Sequence, residues 1–160
     1  MERGDSVSRV LRVLAVRALA LVALVPAGAV AGAPAEHDRV VLVASAASPV
    51  TSLDAIDLKR LFFGVPVVAG ARNLHALLND SDPRLELIFL QHVVGMSKAI
   101  YDRRLLQLTL EQGRSMPRSL DSDDKLVSAL LADPTAVSYA WAAAVEGDSR
   151  LRVVRELWRE

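Results

Sequence analysis

The sequence contains no cysteine. Disulfides and a cysteine-borne lipid anchor are therefore excluded, and packing alone must hold the fold. No excess of either charge exists, since 19 basic residues face 19 acidic ones. The chain thus has no general attraction for nucleic acid or for an anionic membrane. Aromatic residues are scarce, at 4%, and Tyr139 and Trp141 in "SYAWAAA" read as core rather than as a stacking platform. There are three histidines, His37, His75 and His92. None has metal-ligand spacing, and all three read as structural or surface residues. A Gly-x-Ser-x-Gly elbow is missing, and no Ser, His and Asp fall in a recognisable triad order, so nothing points to an enzyme. Internal repeats, low-complexity tracts and long linkers are absent as well.

What is present begins with a leader. Arg3, Arg9 and Arg12 precede the apolar run "ALALVALV" (18–25), which gives way to the small residues of "PAGAVAGAPAEH". That is the three-part layout of a secretory signal peptide, with cleavage fitting after Ala31 or after Ala35. Arg17 interrupts the run, and Pro26 and Gly28 follow it, so the segment falls short of the about 20 apolar residues of a membrane span. The leader has no Arg-Arg pair, so the general export route to the periplasm is expected rather than the twin-arginine route. Residues 1–35 are read as the signal peptide and 36–160 as one domain. Four of the 19 basic and two of the 19 acidic residues lie in the leader, leaving 15 and 17 and a net charge near −2. No stable membrane insertion of the mature chain is expected.

The mature part alternates strand and helix patterns. "VVLVA" (40–44) is a continuous β-branched run, the mark of a strand buried on both faces. "TSLDAIDLKRLFFG" reads as a helix capped by Thr51 or Ser52 and stopped at Gly64, with Leu53, Ile56, Leu61 and Phe62 near one face. A Gly70 turn leads to a strand around Leu74–Leu78. Pro83 fits the first turn of a helix that is capped by Asp82 or Ser81 and runs to Gly95. Ser97 caps the next helix, closed by Gly113, and "RSMPRSL" reads as a loop. "DSDDKLVSALLADP" is a further capped helix, "TAVSYAW" and "LRVV" are strands, and a short link joins them. An α/β or α+β sheet domain follows.

The stretch "NDSDPR" (79–84) carries the candidate chemistry. A helix start offers free N–H groups and a positive dipole end, and Ser81 with Arg84 would complete an oxyanion clamp there. The same letters serve equally as a helix cap. A phosphate 4 Å from the Asp82 charge would be repelled by about 4 kcal/mol at an effective dielectric of 20. The balance therefore lies with the cap, and any anion site there is weakened. Arg114, after Gly113, joins the candidates if its loop faces the same sheet edge. Arg103 and Arg104 are adjacent and point to different helix faces, so they frame surface charge. Asp123 and Asp124 open a helix and suit its dipole rather than acid–base work.

Taken in order, three segments resemble one family. "SLDAIDLKRLFFG" is similar to the short helix ending in Phe-x-Gly of periplasmic phosphate-binding proteins. "SDPRLELIFLQHVVGMS" is similar to their Ser-Gly-Thr-Arg helix start and the apolar helix after it. "QGRSMPRSLDSDDKLVSALLADPTAVSYA" resembles their closing stretch, which ends in Pro-Gly-x-Ile-Gly-Tyr on a strand. The likeness spans most of residues 40–155. Those relatives are two-lobed substrate-binding proteins of phosphate ABC transporters, and this chain is about half their length. The resemblance implies a single periplasmic-binding-protein-like (type 2) lobe, a mixed β-sheet flanked by helices. It also implies a non-catalytic, cofactor-free role in taking a small oxyanion such as phosphate through Ser81, Arg84 and Arg114. Three departures weaken the ligand site: Asp82-Pro83 stands for Gly-Thr, Ser138 stands for a strand Gly, and the second lobe is missing. The alternative is an interaction module that kept the lobe's fold and docks on an envelope partner, a transporter or a sensor.

Overall fold

The computed structural model describes residues 39–160; the expected signal peptide and both expected cleavage positions lie outside them. The first strand, β1 (Arg39–Ser45), holds the β-branched run, and Val40 to Ala44 are completely buried. Val40, Leu42 and Ala44 join one core cluster, while Val41 and Val43 join a second on the opposite face. The uninterrupted apolar run is thus a consequence of a sheet covered on both sides.

Helix α1 (Ala55–Phe62) is capped by Asp54, not by Thr51 or Ser52. One carboxylate oxygen of Asp54 accepts the N–H groups of Ile56 (2.8 Å) and Asp57 (2.7 Å), two donors that a single hydroxyl three residues earlier cannot reach. Leu53, Leu61 and Phe62 are buried as expected, but Ile56 is 72% exposed. The buried face is set by Leu58, and two positions along a helix is about 200°, so Ile56 points outward.

Gly64 stops this helix with φ +68°, and a Cβ placed on it would lie 2.5 Å from the Ser115 carbonyl oxygen. Left-handed backbone and a clash with fixed main chain act together. Gly64→Ala should therefore destabilise the domain by about 2–4 kcal/mol, read as a lower urea midpoint with an unchanged slope.

Strands β2 (Val67–Ala69) and β3 (Arg72–Asn79) form an antiparallel hairpin around Gly70, and β3 contains the expected Leu74–Leu78 strand. Helix α2 (Pro83–Ile88) passes into a π-helical segment, Phe89–Val94, that ends at Gly95. Helix α3 (Lys98–Gln112) follows Ser97, which makes no side-chain capping bond, and is closed by Gly113. The segment read as a loop contains a strand, β4 (Arg118–Leu120), paired in parallel with Leu77–Asn79. Three residues are too few to show an alternation, so only the distant partner reveals it. Helix α4 (Asp123–Ala132) is capped by Ser122, and β5 (Ala136–Trp141) leads through α5 (Ala142–Val145) to β6 (Leu151–Arg159). The last strand runs five residues beyond the "LRVV" pattern.

The sheet order is β2-β3-β5-β1-β6, with β4 beside β3. β3 is parallel to β4 and β5, whereas β1 is antiparallel to β5 and β6. This is the mixed α/β sheet with flanking helices that the sequence implies. On one face, α1, α2 and α3 pack over β1 and β5 around an aromatic knot. Phe89 stacks on Tyr139 (ring centroids 3.8 Å, planes 3° apart), Phe62 lies 4.6 Å from Phe89, and the Tyr101 hydroxyl donates to the Phe62 carbonyl at 2.6 Å. On the other face, Leu126 and Leu130 of α4 and Val145 of α5 cover Val41 and Val43. Among the described residues no helix is long and apolar enough to cross a membrane.

Candidate functional site

The pairing pattern sends several strand ends to one place. β3, β4 and β5 run parallel, and β6 regains the sense of β5 through two antiparallel steps. Their C-terminal ends share one sheet edge, where helices start and where α/β sheets commonly hold ligands. Asn79 to Arg84 leave β3 here, Asp123 follows β4, Trp141 ends β5 and Glu160 follows β6.

Buried Asn79 organises the first turn. Its side-chain oxygen accepts the Ser81 N–H at 3.0 Å, and its amide donates to the Tyr139 carbonyl at 3.2 Å. The Ser81 hydroxyl donates to the Asp123 carboxylate at 2.8 Å. Asp80 accepts a hydrogen bond from Ser119, and its N–H donates to the Leu120 carbonyl at 2.8 Å. Asp82 caps α2: one carboxylate oxygen accepts the Arg84 N–H and the other accepts the Trp141 indole N–H, both at 2.8 Å. Pro83 carries no N–H, so it removes one donor from the helix start.

Arg84 turns towards the ends of β5 and β6. Its guanidinium donates to Glu160 at 2.9 Å and lies 5.7 Å from the Trp141 ring centroid, within cation–π range. Ser81 and Arg84 therefore flank Asp82 on the shared edge. Arg114 is not brought to them. It sits four residues before β4, beside Gly64, towards the opposite end of the β3–β4 pair. Ser138, which stands for a strand glycine in the family pattern, is fully buried and donates to the Leu77 carbonyl at 2.8 Å, tying β5 to β3.

Carboxylates dominate this edge. Asp80, Asp82, Asp123 and Glu160 all lie on it, with Glu160 on the Arg84 guanidinium, while Lys98 is engaged by Glu86 at 2.7 Å. That hydrogen bond to Glu86 holds the Lys98 ammonium above its usual pKa. Burial raises the Tyr139 phenol far above its ordinary range, which removes it as an acid or base. Among the described residues no group of three or more His, Asp or Glu side chains is placed to hold a metal ion.

Sequence reasoning missed Asn79, Trp141 and Glu160 as members of this edge, and gave Asp123 a capping role only. Asn79 directly before "DSDP" was the available signal, because Asn favours side-chain turns two residues on. The others depend on strand direction, which no local pattern carries.

No family model matches the sequence, and no curated protein matches it. Solved structures do. An ABC-type phosphate transport receptor from Vibrio cholerae superposes with a TM-score of 0.55 at 14% identity, covering 75% of this chain and 47% of that one. A possible phosphate binding protein from Planctomyces limnophilus gives 0.49 at 18% identity, with 74% and 41% covered. PstS from Borrelia burgdorferi gives 0.47 at 12% identity, with 65% and 40% covered. The chain spans under half the length of each of these proteins. With its mixed sheet and flanking helices, it has the fold of a single periplasmic-binding-protein-like lobe.

Proposed function

We propose that the chain is an exported, non-catalytic solute-receptor lobe that takes a small oxyanion such as phosphate weakly at the Ser81–Arg84 edge, in service of ABC-type transport. The signal-peptide pattern supports export, and the fold shared with a phosphate transport receptor supports the ligand class. The observation that carries the reading is the state of Arg84. Its side chain is 54% exposed and its partner Glu160 is 63% exposed. Such a pair contributes at most about 1 kcal/mol, so an arriving anion can take the guanidinium over. The other donors are fewer. Asp82 already holds the Arg84 N–H, and the Ser81 hydroxyl points at Asp123.

One guanidinium and one or two further donors, each worth about 1–3 kcal/mol, must offset the lost freedom of the ion. Phosphate affinity should therefore be about millimolar, near −4 kcal/mol, and should weaken with salt. Calorimetric titration of the purified chain with phosphate and sulfate tests this. Arg84→Ala should abolish the heat. Asp82→Asn should tighten phosphate at least about fivefold at low salt, since it removes a carboxylate at the helix start that repels an ion 4 Å away by about 1 kcal/mol even at the dielectric of water. Micromolar affinity in the unaltered chain would contradict a lone, open half-site. If neither the unaltered chain nor Asp82→Asn bound any oxyanion, the lobe would be an envelope docking module instead.

A further inference from the structure

A second surface lies away from the Ser81–Arg84 edge, between α1 and α3. Ile56, Lys59 and Arg60 lie on one face of α1, continued by Phe63 just after it, and Ile100, Arg104 and Leu108 lie on one face of α3. The two faces and Met96 enclose an apolar groove of about 520 Å³. Two of its apolar side chains are strongly exposed, Ile56 at 72% and Ile100 at 57%. The rim consists of Lys59, Arg60, Arg104 and Arg114, and among the described residues no carboxylate lines it. Arg60 is held by an exposed pair with Asp57 at 3.0 Å, and Arg104 donates to Gln107. Neither contact neutralises the rim as a whole.

This groove continues into another. A neighbouring cleft of about 710 Å³ shares Val65 and Arg114 with it, adds Arg118, and is likewise lined by no carboxylate among the described residues. Together the two clefts offer apolar walls with Lys59 and Arg60 from α1, Arg104 from α3, and Arg114 and Arg118 from the segment leading into β4. Their extent is too great for a single small ion, and their concavity does not match a flat bilayer.

We infer that this basic-rimmed groove receives an acidic, amphipathic polypeptide segment of a partner protein, with apolar side chains seated on Ile56, Phe63 and Ile100 and carboxylates facing Lys59, Arg104 and Arg114. Charge complementarity selects this occupant. The chain's own leader is excluded by the same criterion, because Arg3, Arg9, Arg12 and Arg17 give it the sign of the rim. The surface is independent of the oxyanion edge, so each can fail without the other.

Fluorescence anisotropy with a labelled peptide of roughly 16 residues, about 24 Å as a helix, provides the test. Leu and Phe line one helical face of the peptide and Glu the other, and a scrambled peptide has the same composition without the faces. The amphipathic peptide should bind at least about tenfold tighter than the scrambled one, and Arg104→Glu and Ile100→Ser should each weaken it about tenfold without lowering the melting temperature. Phosphate at matched ionic strength should not displace it. Equal binding of both peptides, indifference to both substitutions, displacement by phosphate, or no peptide binding at all would overturn the inference. So would tighter binding to phosphatidylglycerol vesicles than to the peptide, or self-association of the chain that Ile100→Ser abolishes.

Discussion

Leu42→Asp should leave the domain unfolded at room temperature. Leu42 is completely buried in β1, opposite Tyr139 of β5 and Arg155 of β6. It belongs to the core face that also carries Phe62, Phe89 and Tyr139. A carboxylate there loses the leucine's burial, about 2–5 kcal/mol by comparison with truncation to Ala. It also buries a charge whose nearest cation, Arg155 opposite on β6, already donates to the Leu53 carbonyl at 3.2 Å. Together these terms approach the about 5–15 kcal/mol that holds a typical domain folded. Far-ultraviolet circular dichroism and urea titration check the outcome, with Leu42→Ala as a milder control expected to remain folded. Soluble, cooperatively unfolding Leu42→Asp would show that β1 is not a doubly buried strand.

Phe89→Ala should be the next most damaging change, costing about 3–5 kcal/mol. Phe89 is fully buried at the point where α2 passes into the π-helical segment, and its ring contacts both Tyr139 and Phe62. Few aromatic residues are available in this chain, and Phe62, Phe89 and Tyr139 are concentrated where helix α1, the α2 region and β5 meet. Removing the middle ring opens a cavity and breaks two ring contacts, which adds about 0.5–1.5 kcal/mol per pair to the burial term. Phe89→Leu should recover more than half of the loss in urea-midpoint measurements. A Phe89→Ala variant as stable as the parent would mean that this knot does not organise the core.

Much of the architecture was legible because its signals are local. The "VVLVA" run, Pro83 after Asp82, and the glycines at 64, 95 and 113 each carry their reason within a few residues. Features that depend on distant chain were not. β4 exists because Arg118–Leu120 finds the outer edge of β3. Ile56 looked like core until the helix phase was fixed by Leu58. The candidate site divides in the same way. The neighbourhood of Ser81 and Arg84 around a capping Asp82 follows from sequence distance alone. That Asp123 accepts the Ser81 hydroxyl, that Glu160 holds Arg84, and that Arg114 lies elsewhere all follow from strand order and direction. Those are set by non-local pairing, for which the string holds no short-range code.

The central functional claim is that an open, carboxylate-crowded half-site holds a small oxyanion weakly through Arg84. Amide chemical-shift mapping of the uniformly ¹⁵N-labelled chain during a phosphate titration tests it most directly. Fast-exchange shifts should centre on Ser81 to Leu85, with the Trp141 indole and the last residues of β6 following, and give a dissociation constant of about millimolar. Shifts centred instead on Lys59, Arg104 and Arg114, or no shifts at any phosphate concentration, would contradict it.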